Sequence, residues 1–247
     1  MPWFNDCEGG TVGSAPPTTN DGSGDPWTVV QDGGVAGFND YSTDFAAHGT
    51  KSIKFATRGT AESEFVAWDF GTPFTGSCFG RCYAYWTGFG TSCKFINWRV
   101  ADAALVLGYL QVSAAGVVQL RNGPDNTTAW TGPTLSAAQW YRFEWMVDPT
   151  GATADSTINI HVYNYDDATV VAGGDSGDVS GVTNNGPANT NIQYVRYGPS
   201  TTLINVPSTT DFLYMDDFAA FDTTRIGAAV TPGPATRQPG RVVRGWF

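Results

Sequence analysis

The stretch TDFLYMDDFAAFD, residues 210–222, reads as a buried strand interrupted by two adjacent aspartates. Two-residue alternation puts Leu213, Met215, Asp217 and Ala219 on one face and Tyr214, Asp216, Phe218 and Ala220 on the other. One aspartate must then lie among apolar neighbours, unless the strand ends or bulges there. A carboxylate in such surroundings is costly unless it is paired, hydrogen-bonded or metal-bound. The stretch therefore marks a fold-closing strand rather than an active site. Calcium, which takes roughly six to eight oxygens, would suit it if a second acidic strand end helped.

The same alternation recurs upstream. KSIKFAT (51–57) sets Ile53, Phe55 and Thr57 against Lys54 and Ala56, and EFVAWDF (64–70) sets Phe65, Ala67 and Asp69 against Val66, Trp68 and Phe70. WYRFEWMVD (140–148) opposes Tyr141, Phe143, Trp145 and Val147 to Arg142, Glu144 and Met146, and TINIHVYNY (157–165) aligns Ile158, Ile160, Val162 and Asn164. RCYAYWTGF (81–89), SCKFINWRV (92–100), ALVLGYLQVS (104–113) and GVVQLRN (116–122) follow one another at antiparallel spacing, the last two joined by a hairpin connection at 114–116. NIQYVRYG (191–198) and the double-aspartate stretch supply the last strands. Residues 1–50 read as loop-rich, with WTVVQ (27–31) the clearest strand, and 172–191 read as a long polar loop.

Helix formers are sparse, with Glu only at 8, 62, 64 and 144 and Lys only at 51, 54 and 94. The reading is an all-β, two-sheet antiparallel jelly-roll sandwich over residues 1–226, followed by an extended arm at 227–247 that carries prolines and arginines.

A net charge of −10 argues against nucleic-acid binding, which needs basic residues to displace counterions. No run of ~18 apolar residues is present, so membrane insertion is not expected. MPWFNDCEGG lacks the basic end and apolar run of a secretory signal, so a soluble product is expected, leaving a cell, if at all, by a route such as lysis. After Asp222 there are four arginines (Arg225, Arg237, Arg241, Arg244) and no acid, so the tail carries +4 against −14 for the body. Such asymmetry describes either a solvated tail or a basic arm that docks on an acidic surface.

Cysteines at 7, 78, 82 and 93 fit two disulfides in any of three connectivities, or buried free thiols. Cys78 and Cys82 have near-ligand spacing for zinc, but His48 and His161 are distant and no second CxxC exists. For glycosidase chemistry, two carboxylates must face one cleft, and Glu62 with Glu64 is the best pair, although a solvated edge explains them as well. No GxSxG surrounds a serine; His48 reads as a turn cap or packing residue and His161 as a surface position. Among the tryptophans, Trp86 and Trp98 read as core. Trp130, in the turn-like TTAWTGP, reads as exposed and is the residue to name for a carbohydrate or partner contact.

FNDCEGGTVGS, AAHGTKSIKFAT, LSAAQWYRFEWMVD and FLYMDDFAAFD, in that order, resemble the concanavalin A-like (laminin G-like) jelly-roll domains of structural proteins of actinobacterial phages and prophages. The resemblance spans most of residues 4–226 and rests on the order and spacing of short motifs. It implies a structural calcium held by Glu8 and Asp216 or Asp217, helped by Asp6, with backbone hydrogen bonding as the alternative. It also implies a non-enzymatic virion part, such as a capsid decoration, minor capsid or tail-associated protein present in many copies. Its partners would be other virion proteins and host-surface carbohydrate. The arm would be the anchor, with Arg237, Arg241 and Arg244 pairing with acidic neighbours and Trp246 and Phe247 as hydrophobic plugs.

Overall fold

The computed structural model describes residues 3–32, 39–56, 64–74, 76–90, 92–100, 106–123, 125–149, 156–182, 191–199 and 211–229. Sixteen strands and no helix lie among them. In chain order these are β1 (Trp3–Asn5), β2 (Val29–Asp32), β3 (Asn39–Ser42), β4 (Ser52–Ala56), β5 (Glu64–Phe74), β6 (Cys78–Trp86), β7 (Cys93–Arg99) and β8 (Val106–Val112). There follow β9 (Val117–Asn122), β10 (Thr128–Thr134), β11 (Trp140–Asp148), β12 (Ser156–Asn164), β13 (Val170–Asp175), β14 (Val179–Val182), β15 (Ile192–Tyr197) and β16 (Phe212–Asp222).

A nine-stranded sheet runs β13-β12-β11-β6-β16-β4-β3, with β1 also on β16 and β14 also on β12; a seven-stranded sheet runs β10-β9-β8-β7-β15-β5-β2. Every described pairing is antiparallel. The expected jelly-roll sandwich is thus the fold observed.

The inward faces fill one core between the sheets, as the alternation in β5, β11 and β12 predicts. Trp27 stacks on Trp68 with ring centres 4.5 Å apart, Trp86 meets Phe95 edge-on at 5.1 Å, and Trp98 meets Trp145 at 5.6 Å. Trp86 and Trp98 are therefore core residues. Gly80 on β6 makes room for this packing, since a Cβ there would lie 2.0 Å from the Trp145 ring. The four cysteines are buried free thiols, one of the alternatives read from sequence, and no group of three metal-ligating side chains occurs among the described residues.

Two expectations need correction. Part of the polar stretch 172–191 forms the end of β13 and the whole of β14, short strands attached to β12, whose glycines supply turns rather than a long loop. Trp130 is not in a loop: it lies on the edge strand β10, its ring half-buried against the core and over Gly132. Edge strands lack the alternation that identifies buried ones, because one flank and one face meet water.

Candidate functional site

The double aspartate is a β-bulge. Asp216 faces Tyr83 and Ala219 faces Arg81, so three steps along β16 match two along β6, and Asp217 takes a left-handed φ of 45°. The phase of the strand changes there. Leu213 and Met215 point into the core before the bulge, and Phe218 and Ala220 do so after it. Neither carboxylate enters the core between the sheets. Both turn toward the connection between β3 and β4, on the outer face of the nine-stranded sheet.

Strand register arranges this outer face in transverse rows. Phe4, Ala219, Arg81, Glu144 and His161 are successive partners across β1, β16, β6, β11 and β12. Asp216, Tyr83, Arg142 and Tyr163 form the next row, and Lys54, Tyr214, Tyr85 and Trp140 the one after.

His48 sits over the middle row between two carboxylates. Its Nδ1 meets Asp217 Oδ2, and its Nε2 lies 2.9 Å from Asp166 Oδ2. Tyr83 donates its hydroxyl to the other oxygen of Asp166 at 2.5 Å. Tyr165 stacks on the imidazole, ring centres 5.2 Å apart, and donates its hydroxyl to Ala47 O. Burial opposes a charge on His48, but the hydrogen bonds and charges of Asp217 and Asp166 prevail and hold its pKa up at about 9, so the ring is an imidazolium at neutral pH. Asp216 is fully buried and accepts N–H bonds from Ala47 (2.9 Å), His48 (3.2 Å) and Asp217 (2.8 Å). Burial and the adjacent Asp217 charge push its pKa up, against the pull of those donors.

The turn carrying His48 is tied from its other side by Glu8. That carboxylate accepts from Thr50 N, Thr50 Oγ1 and Lys51 N, each at 2.8 Å. Gly49, with φ 63°, is required there, because a Cβ would lie 2.4 Å from Glu8 Oε1. Lys51 Nζ donates to Glu8 O at 2.7 Å and Gly10 O at 2.8 Å, which places a cation of the chain itself among the carbonyls of the N-terminal loop.

Glu8, Asp216 and Asp217 do not fit calcium well. Both oxygens of Glu8 and of Asp216 accept from N–H and O–H donors, Asp217 Oδ2 is held by the imidazolium, and no cluster of three metal-binding side chains occurs among the described residues.

A cavity of about 340 Å³ opens beside this cluster, walled by Phe4, Asp6, Glu8, His48, Arg81 and Asp217. Burial raises the pKa of Asp6 despite the N–H bond from Glu8, and the charges of Asp217 and Glu8 add to the rise. Residues 225–229 close the remaining side with Ile226 and Ala229. This strap is fastened by Arg225 to Asn159 Oδ1, by Arg81 Nη1 to Gly227 O (2.8 Å) and by Ala229 N to the Tyr83 hydroxyl (2.9 Å).

Beyond His48 lies an aromatic patch. Phe45 is laid flat over Tyr85 with ring centres 4.5 Å apart and meets Tyr214 edge-on at 5.0 Å, while Trp140 leans on Tyr85 at 5.5 Å. Lys54 and Asp44 pair at its edge, 3.0 Å apart.

Glu64, one half of the sequence-proposed carboxylate pair, is buried at the start of β5 in the other sheet, and Glu62 lies outside the described residues. Arg237, Arg241, Arg244, Trp246 and Phe247 also lie outside them. His161 is on the outer face as expected, 3.1 Å from Asp175 and from the Tyr163 hydroxyl. Burial and the charge of Arg225 lower its pKa against the opposing charges of Asp175 and Glu144. Sequence reasoning missed the His48 clamp, whose partners are 118 and 169 positions away.

No protein-family model matches the chain, and no curated protein matches it in sequence. Solved structures do match in shape. The cellulose-induced protein Cip1 superposes with a TM-score of 0.56 at 17% identity, covering 92% of this chain and 99% of that one. The PL-14 alginate lyase from Aplysia kurodai gives 0.51 at 9% identity, covering 74% and 86%. A sialidase gives 0.50 at 9% identity over 76% of this chain, which spans only 16% of the sialidase. The likeness is one of fold.

Proposed function

We propose that the chain is a non-catalytic glycan-binding protein that meets sugar on the outer face of the nine-stranded sheet. One observation carries the reading. Four large hydrophobic side chains are exposed among the described residues, and three of them stand on this face: Phe4 (52%) lines the cavity, and Tyr165 (38%) and Phe45 (37%) stack on His48 and Tyr85 beyond it. Sugar rings present C–H faces that stack on aromatic rings and hydroxyls that bond to carboxylates and guanidinium groups, and both kinds of partner converge here. The fold is shared with proteins named for cellulose induction and alginate lysis, which makes a glycan the first ligand class to test.

The non-catalytic reading is supported by the state of His48, Tyr83 and the cysteines. His48 has both ring nitrogens engaged with carboxylates and is charged, so it has no lone pair to act as a base. Burial and the bond to Asp166 raise the Tyr83 phenol, and burial raises every cysteine, so none is a ready nucleophile.

A finer reading makes this protein a multi-copy virion part anchored by its basic arm. It rests on the family resemblance and on the strap, which brings the root of the arm to the rim of the cavity. Glycan arrays probed with the parent and with Phe4→Ala test the binding reading: signal lost in the variant at unchanged melting temperature is expected, and no signal from the parent sinks it. Co-sedimentation of full-length and 1–222 chains with phage particles tests the anchor; equal incorporation of both overturns it.

A further inference from the structure

The three exposed aromatic rings are strung along one turn. Gly49 lines the cavity with Phe4, His48 lies beneath Tyr165, and Phe45 covers Tyr85. Beneath the turn, Arg81, Tyr83 and Tyr85 occupy successive outward positions of β6, four residues from first to last. At ~3.3 Å per residue this spans about 13 Å, longer than one sugar ring. The two ends differ in chemistry. The cavity offers carboxylates and Arg81, suited to hydroxyls; the far end offers the exposed ring of Phe45, laid over the buried Tyr85, with half-buried Trp140 beside it, suited to a ring face.

Charge narrows the ligand further. Asp6, Glu8 and Asp217 outnumber His48 and Arg81 on the cavity wall, Lys54 at the patch is paired with Asp44, and residues 1–222 carry −14. A polyuronate would approach against this field, and Arg81, the cation on the cavity wall besides His48, already donates to the carbonyls of Asp217 and Gly227. Resting on the glycan-binding reading, we infer that the ligand is an uncharged, linear oligosaccharide. One end sits in the Phe4–Arg81 cavity and the chain runs along the 45–49 turn onto the Phe45–Trp140 patch.

Calorimetry on the full chain tests this with neutral β-linked gluco-, xylo- and manno-oligosaccharides of increasing length and with alginate oligosaccharides as the charged control. Affinity should rise at least tenfold from monosaccharide to tetrasaccharide and should not vary with salt. Phe45→Ala and the milder Phe45→Leu, each shown by its melting to stay folded, should remove most of that rise. Neutral sugars that bind equally well at every length, or a Phe45 variant that binds the tetrasaccharide as the parent does, would overturn the extended path and leave glycan binding standing. Tighter, salt-dependent binding of alginate fragments would overturn the neutral assignment alone. If no probe of either charge binds, the glycan-binding reading falls and this inference with it.

Discussion

Replacing His48 with glutamine should change the pH dependence of stability in a defined way. The imidazolium is held at a pKa of about 9 against 6.5 when free, which corresponds to at most about 3.5 kcal/mol at ~1.4 kcal/mol per unit. Asp166 is 34% exposed and water screens part of its attraction, so the contribution is about 1–2 kcal/mol. A folded-state pKa raised above the unfolded one gives stability that is complete below pH 6.5 and is lost as pH rises through 9. Glutamine keeps a hydrogen-bonding side chain without the charge. The parent should therefore melt roughly 2–8 °C above His48→Gln at pH 6, and the gap should close by pH 10. Lys94, whose pKa burial lowers to about 8, acts with the opposite sign above that pH, but it is common to both proteins and cancels in the comparison. Scanning calorimetry at half-unit steps reads the gap directly. A gap of constant size from pH 6 to pH 10 would refute the charged clamp.

Other expectations concern the frame around the site. Gly80→Ala should cost about 3 kcal/mol, because its Cβ would overlap the Trp145 ring; a variant melting within a degree of the parent would contradict the packing described. A thiol reagent should find essentially no reactive cysteine in the native protein and all four after denaturation, and rapid native labelling would show that the burial is wrong. Melting should be the same in chelator and in millimolar calcium, and a calcium-dependent rise of more than about 3 °C would restore the metal reading. A chain ending at residue 222 lacks the bonds from Arg81 to Gly227 and from Ala229 to Tyr83, at ~1 kcal/mol each; it should melt several degrees below a chain ending at 229, and equal melting would mean that the strap holds nothing.

The strands that were legible in the sequence are those with one face in the core, such as β11 and β12, where burial imposes a two-residue period. β10, β13 and β14 were not, because they run at the edge of their sheets and their exposed, glycine-containing segments carry no such period. The bulge was half legible. A shift from the phase of Leu213 and Met215 to that of Phe218 and Ala220 was present in the residues, and it explains how two adjacent acids avoid the core. The clamp on His48 was not legible, since no local pattern joins a turn at 48 to residues 166 and 217. Phe45 and Tyr165 likewise carry no sequence mark of exposure; only the stacking on Tyr85 and His48 sets them outward.

The last described strand of the chain stands in the middle of its sheet. β16 separates β6 from β4 and also receives β1, so Trp3 lies opposite Ala220 across almost the full length of the described chain. During synthesis, everything up to about residue 210 can be present while two neighbouring strands still show open edges to each other and to any other chain. Closure must wait until β16 has been made and then join it to β1, β4 and β6, which places folding among the slow, high-contact-order class, on the order of milliseconds to seconds. The interval just before closure is when a nascent chain of this kind is most in need of a chaperone.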